Sequence, residues 1–441
     1  MTHYKIIHIT AAYKPAFIYG GPTMSVAKLC EALVVHRFSS IVHRSTNNEQ
    51  RTTDKRLAVE VLTTTANGKT ELAVVPGESQ LVNGVRVTYF KRLTKDHTHF
   101  SPGLLRGLRR EILRLKKNPP PTPSKGGHTL VIHIHAWWNL VSILSCWVAK
   151  WYNVPVVLSP RGMLTEYTLA NRNVGFKSII HWLIGKRLLR YCHIHATSEK
   201  EKEDILKFIK PRSVTVIPNL VELSDGIIKH PVLPSLQGEG SGVRSKHESS
   251  TQQLPNLTTQ PTFKLIFLSR IEEKKGLELL FEALARLDVD WSLTIAGSGD
   301  KSYVERLVVM VEGLGISARI NWVGQVRNED KFELLAEHNL MVLTSYNENF
   351  ANVVIESLSV GTPVLLSNEV GLADYVIEKD LGWVTTLETE SIKKALTKAY
   401  LDVDHREKMK LQAPQLIRED FNDEVLMKKY VGLYEEVYLN G

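Results

Sequence analysis

Short apolar runs alternate with stretches of helical spacing along most of the chain. Residues 5–10 read as a buried strand, Gly20-Gly21-Pro22 as a loop, and residues 23–35 as a helix. Further strands are expected at 85–90, 129–134, 154–159, 193–197 and 214–217, with helical patterns between most of them. Such alternation predicts a parallel sheet covered on both faces. The pattern then breaks. Residues 229–262 are rich in Pro, Gly, Ser, Gln and Thr, and read as a flexible linker or insertion. A second alternating series follows, with strands expected at 264–268, 293–296, 321–323, 340–344 and 363–366. Helices are expected to begin near Gly276, Ser302, Asp330 and Asn352, and the tail from about Thr389 reads as helical. The pattern therefore predicts an α/β protein of two doubly wound domains, at 1–212 and 263–415. A C-terminal helix over 416–441 is expected to pack back toward the first domain.

The 441 residues suit two domains, and 43% hydrophobic with 23% charged residues is the composition of a folded globular chain. The most apolar stretch, 137–152, is interrupted by Asn139, two serines and Lys150 and reads as a buried helix rather than a membrane span. The start, MTHYKIIHIT, reads as a strand and not as a cleavable leader, so a cytoplasmic location is expected. Cys30, Cys146 and Cys192, far apart in sequence, are expected to be separate reduced thiols.

Charge is unevenly divided. Residues 1–210 carry 31 Lys and Arg against 13 Asp and Glu, whereas the remainder carries 24 against 34. A basic first half implies an anionic partner. The common nucleic-acid modules leave no signature here, so a membrane surface or a lipid phosphate is favoured over nucleic acid. Two basic stretches with interspersed apolar residues, 101–117 and 176–190, fit peripheral contact with an anionic bilayer, the leucines of the first turned toward lipid or protein.

Ligands of open α/β sheets lie beyond the carboxyl ends of the strands. After 264–268 come Arg270 and Lys275, followed by Gly276 and a helix start; two fixed cations there suit a diphosphate. After 293–296 comes Gly297-Ser298-Gly299, a turn that permits close backbone approach. After 340–344 come Glu348 in a loop and Glu356 inside the next helix, with seven residues between them. The free amides around Asn349, Phe350, Ala351, Asn352 and Val353 point toward the same space. Carboxylates beside an anion site are explained if they accept hydrogen bonds from sugar hydroxyls. No acidic pair at a strand end offers a metal site.

Glu348 and Glu356 match the E-x7-E motif, and the chain resembles the retaining glycosyltransferases of family 4. Arg270, Lys275 and Gly276 resemble that family's R-x4-K-G stretch, and Gly297 and Gly299 its G-x-G turn. The segment 359–364 resembles its A-x-G-x-P-V. Gly20 and Gly21 resemble its glycine loop, His135 its strand-end histidine, residues 159–163 a segment of bacterial members, and residues 217–222 its I-P-N-G-V-D. Ala351, Leu220 and Glu222 depart from the family's usual Gly, Gly and Asp. The resemblance implies a GT-B fold, in which a C-terminal domain holds a nucleotide sugar and an N-terminal domain holds the acceptor. It also implies retention of configuration and no metal or other cofactor. A UDP- or GDP-sugar is the implied donor, and a glycan or lipid-phosphate-linked acceptor the implied partner. By the same resemblance Arg270 and Lys275 stabilise the leaving diphosphate, Glu348 orients the sugar, Glu356 holds the ribose, and His135 lies near the reacting carbon. Gly20 and Gly21 close on the phosphate, and Arg161 binds the acceptor. A sugar-nucleotide epimerase or a non-catalytic nucleotide-sugar or polyanion binder would use a related site without a separate acceptor.

Overall fold

A computed structural model describes residues 2–45, 55–117, 130–165, 185–224 and 262–440. The expected linker, apart from Thr262, and most of the second basic stretch lie outside these residues. The first domain is built on β1 (Thr2–Ile9), β2 (Lys55–Thr64), a small hairpin of β3 (Ala66–Asn67) and β4 (Thr70–Glu71), β5 (Ser79–Val82), β6 (Val85–Phe90), β7 (Leu130–His135), β8 (Val156–Ser159), β9 (His193–Ala196) and β10 (Ser213–Val216). Its main sheet has the order β10-β9-β8-β7-β1-β2-β6-β5, parallel except for the β5–β6 pair. The ten-residue β2 was not expected from the sequence. It ends in buried Thr63 and Thr64, and the Thr64 hydroxyl donates to the Ala11 carbonyl at 2.6 Å, so a polar-looking segment is a core strand.

Side chains alternate across a strand. Ile7, Ile9, Ile132, Ile134 and Leu158 therefore share one face and pack in one core with helices Pro102–Lys117 and Leu140–Trp151. His8 and His133, paired in register, and His135 lie on the other face. The thiols of Cys146 and Cys192 meet in the first core, 3.4 Å apart and unbridged. Distance in sequence was thus a poor guide: helix Leu140–Trp151 packs beside the short helix Lys186–Leu189, just before Cys192.

The second domain has six parallel strands, β11 (Phe263–Leu268), β12 (Trp291–Ala296), β13 (Ile320–Gly324), β14 (Leu340–Leu343), β15 (Val364–Ser367) and β16 (Gly382–Thr385), in the order β13-β12-β11-β14-β15-β16. Each of the first five strands falls within two residues of its expected position; β16 was not expected. Helix Val403–Asp420 runs through the boundary expected at 416. The break comes at Phe421 and Asn422, where the Asn422 carboxamide oxygen accepts from the Glu424 amide at 2.7 Å and caps the last helix, Asp423–Asn440. That helix crosses to the first domain. Its Leu426, Tyr430, Leu433, Tyr434 and Val437 join a core that also holds Ile6, Leu29, Leu33 and Val131.

Candidate active site

The carboxyl ends of the second sheet bring together most of the residues singled out above. Lys275 ends a short 3-10 turn, Glu273–Lys275, and Gly276 follows in the left-handed region at φ 65°. A Cβ at Gly276 would overlap the Thr344 carbonyl oxygen, so only glycine lets β11 and β14 deliver their loops side by side. Lys275 is buried there and donates to a Glu348 carboxylate oxygen. Burial pushes the Lys275 ammonium below its ordinary value, against the pull of Glu348. Burial likewise raises the Glu348 carboxyl, but the charges of Lys275, Lys274 and Arg270 outweigh it and hold the group below its ordinary value. Glu348 therefore sits ionised within a cationic pocket and repels an incoming phosphate less than a bare carboxylate would. Arg270 is more exposed and pairs with Glu272 at 2.5 Å.

Helix Asn352–Ser359 begins beside this pair. Its cap residue, Ala351, stands at φ 62°, ψ 76°, a conformation that favours glycine. Glu356 lies one turn inside and bonds Lys331 Nζ at 2.9 Å; Lys331 also lies 3.6 Å from Glu222, which comes from the loop after β10. Burial raises the Glu356 carboxyl, Lys331 opposes the rise, and Glu222 adds to it. Lys331 was not singled out from sequence. Its one visible signal was a lysine at the start of the short apolar run 331–336.

Two residues expected at the donor site also carry structural duties. Phe350 is buried and packs edge-on against Phe421, 6.2 Å between centroids, so its side chain belongs to the core, whereas the expectation at this position concerns its amide. At Gly297 and Gly299 the neighbouring backbone leaves no room for a side chain. A Cβ at either would overlap the carbonyl of Ser269 or Ile271, which this turn lines as Ile271 N donates to Ser298 O at 2.9 Å.

The first domain closes on the same loop. The Asn349 amide donates to Thr197 Oγ1 at 2.7 Å, and Ser198 Oγ donates to the Asn349 carbonyl at 3.1 Å. Asn352 contacts Asn219 at 3.2 Å and Ser25 at 3.4 Å, and a Cβ at Gly21 would lie 3.9 Å from the Asn352 amide. Gly20 is left-handed at φ 62°. The glycine loop, the segment 197–198 and the helix start thus converge, and Asn349 fastens the domains together. Val353 is only partly buried at the same helix start.

His135 lies at the end of β7, 3.0 Å from His8 Nδ1 and 3.4 Å from Arg161. Arg161 also donates to Asn219 at 3.2 Å. Behind it runs a buried polar chain: Tyr434 to His133 at 2.7 Å, His133 to Ser159 at 2.7 Å, Ser159 to His195 at 2.6 Å, and His195 to the Ile217 carbonyl at 2.8 Å. The nitrogens of His8, His133 and His135 come within 4.8 Å of one another, the spacing of a metal site. Both nitrogens of His133 and of His135 already have partners, however, and the Arg161 cation adjoins them. The cluster is better described as a hydrogen-bond network.

Burial lowers His8 and His195 to about 3, with the Arg161 charge adding to the effect, and His133 and His135 are also held well below their ordinary value. The unfolded chain binds protons at these sites near pH 6.5 and the folded chain does not, so their stabilisation is present above that pH and is lost as pH falls toward 3. Glu201 and Glu356, raised by burial, act in the opposite sense, but two carboxyls face four histidines. Urea unfolding should show lower stability at pH 5 than at pH 7, by about 2 kcal/mol for each fully buried histidine before that offset. Equal stability at the two values would contradict neutral burial.

Comparison with known proteins places this geometry. Residues 20–225 match the family described as Glycosyltransferase Family 4, and residues 251–416 match Glycosyl transferases group 1. An uncharacterized glycosyltransferase of Methanocaldococcus jannaschii is 27% identical over 39% of the chain and 44% of its own length. The N-acetyl-alpha-D-glucosaminyl L-malate synthase of Bacillus anthracis is 24% identical over 39% of the chain and 45% of its own. The chain thus spans about half the length of the curated relatives it matches. Among solved structures, sucrose-phosphate synthase from Thermosynechococcus elongatus superposes with a TM-score of 0.65 at 17% identity, over 99% of both chains. Anabaena HepE, in complex with UDP-glucose, gives 0.62 at 16% identity, over 98% of this chain and 100% of the other. These likenesses extend over both sheets and establish the shared fold.

Proposed function

We propose, starting from a chain that belongs to the GT-B glycosyltransferases of family 4, that it moves a sugar with retention of configuration from a nucleotide-sugar donor to a glycan or lipid-phosphate-linked acceptor in cell-surface polysaccharide synthesis. The observation that carries this reading is the arrangement of two buried Lys–Glu pairs, Lys275–Glu348 and Lys331–Glu356, on either side of one helix start at the domain interface. Relatives lend weight to the donor class, since HepE is seen with UDP and with UDP-glucose. The polysaccharide role has support from WaaG, a glycosyltransferase involved in lipopolysaccharide biosynthesis, with a TM-score of 0.60.

In this scheme the bond between the sugar's anomeric carbon and the diphosphate breaks as an acceptor oxygen bonds that carbon; negative charge grows on the diphosphate, which takes up the proton the acceptor gives up. Arg270, Lys275 and the amides of Ala351, Asn352 and Val353 stabilise that charge from fixed positions. Glu348 accepts from sugar hydroxyls, and Glu356 accepts from the ribose. The acceptor enters from the first domain, past His135 and Arg161. His135, held neutral by burial and bonded through its two ring nitrogens to His8 and Arg161, positions Arg161 without adding charge.

The test is thermal unfolding against UDP-, GDP-, ADP- and dTDP-sugars with no added metal. Ligand at about a hundred times its dissociation constant adds roughly 2.7 kcal/mol. One nucleotide class should raise the melting temperature, and Arg270→Ala should lose most of that rise. A well-folded protein that shifts with none of the four would sink the donor assignment.

A further inference from the structure

The first domain carries a surface that the transfer reaction does not use. Helix Pro102–Lys117 turns Leu104, Leu108, Ile112 and Leu115 into the core, so its leucine face is closed to lipid. Its outer face exposes Arg106, Arg109, Arg110, Arg114, Lys116 and Lys117, with Leu113 among them at 40% exposure. The helix's one acid, Glu111, pairs with Lys5 and Arg114, which leaves Arg106, Arg109, Arg110, Lys116 and Lys117 as the cations of this face without a carboxylate on their own helix.

The neighbouring helix, Leu140–Trp151, adds the apolar part. Trp147 and Trp151 are 49% and 73% exposed, with ring centroids 5.8 Å apart, and Lys150 is exposed between them. The two helices are tied at this end: Arg109 Nε donates to the Tyr152 hydroxyl at 2.8 Å, and Lys116 Nζ to the Tyr152 carbonyl at 2.5 Å. Two indoles held out in water beside a row of cations match the two layers of a membrane interface. Indoles settle at headgroup depth, and Arg and Lys meet lipid phosphates.

We propose that this face of the first domain, with Trp147 and Trp151 as anchors and the outer side of helix Pro102–Lys117 as the charged platform, docks on an anionic phospholipid bilayer. It lies on the side of the first sheet opposite the one covered by helix Asp423–Asn440, so docking leaves the contact between domains undisturbed. The inference rests on the transferase reading only for its purpose, to hold the enzyme near a lipid-linked acceptor. Vesicle binding is read without donor or acceptor, and so stands or falls separately.

The experiment is flotation of the full chain with phosphatidylcholine vesicles, with and without phosphatidylglycerol. Three proteins are compared: wild type, a Trp147→Ala/Trp151→Ala variant, and an Arg106→Gln/Arg110→Gln/Lys117→Gln variant. Wild type should float with the anionic vesicles and fall off as salt rises. The triple variant should bind on the order of a hundredfold more weakly. The Trp variant should lose binding at least about tenfold, with an unchanged melting temperature as the check on folding. Failure of wild type to float with anionic vesicles at low salt overturns the proposal, as does equal flotation of all three proteins. A concentration-dependent dimer that dissociates on Trp151→Ala, without vesicle binding, overturns it in favour of a second copy as the occupant.

Discussion

Replacing Lys275 with methionine is expected to lower kcat by about 10²–10³ and, separately, to destabilise the fold. The first effect follows from loss of a preorganised cation at the leaving group, typically about 2.7–4 kcal/mol of barrier. The second follows from Glu348, which keeps its burial but loses its partner; breaking such a pair costs about 3–5 kcal/mol. The two effects separate in the double variant Lys275→Met/Glu348→Gln. A neutral amide tolerates the site better than a stranded carboxylate, so urea unfolding should recover most of the stability. Turnover should not recover, because no cation has returned. Recovery of kcat together with stability would show that the pair is a structural fastener and would remove Lys275 from the chemistry.

Gly371→Ala should weaken donor binding without touching any charged residue. A Cβ at this position would overlap the Asn349 carbonyl and come 2.8 Å from Ser198 Oγ, at the point where the two domains meet. Gly371 N also donates to the Glu348 carbonyl at 2.7 Å, so any displacement is passed to the loop that carries both Glu348 and Asn349. Overpacking of this kind costs about 1–3 kcal/mol. Donor KM should rise by roughly tenfold or more, with a lowered melting temperature. Gly313→Ala is the control: it ends a helix with open space around its Cβ position, and should leave donor binding as it was. Equal donor KM in wild type and Gly371→Ala would mean that the 348–352 loop is not held by this contact.

Much of the site was legible because the chemistry sits where chain pattern alone puts it, just past the strands. Arg270, Lys275 and Glu348 follow β11 or β14 within seven residues, Glu356 lies one turn into the helix after β14, and the spacing of apolar residues located those elements. The partners were not legible. Lys331 reaches Glu356 from a different helix, and Glu222 reaches Lys331 from a different domain. The packing duties of Phe350 and Gly297, one against Phe421 and the other against the Ser269 carbonyl, were not legible either. The leucines of 104–115 were open to either lipid or protein from spacing alone; only the adjacent sheet decided for protein.

Local sequence determined the two-sheet α/β layout, the break between its halves, the basic and acidic division, and the loops in which charge would gather. These follow from hydrophobic periodicity and from glycines that tolerate left-handed backbone, both properties of short windows. Tertiary structure decided which charges become pairs, which face of helix Pro102–Lys117 meets water, and that the last helix crosses over to lay Tyr430 and Tyr434 against the His133 and His195 network. Those outcomes depend on contacts between residues far apart in sequence, from 25 positions for Lys331 and Glu356 to 301 for His133 and Tyr434. Their energies come from burial and pairing, and neither exists until the chain has folded back on itself.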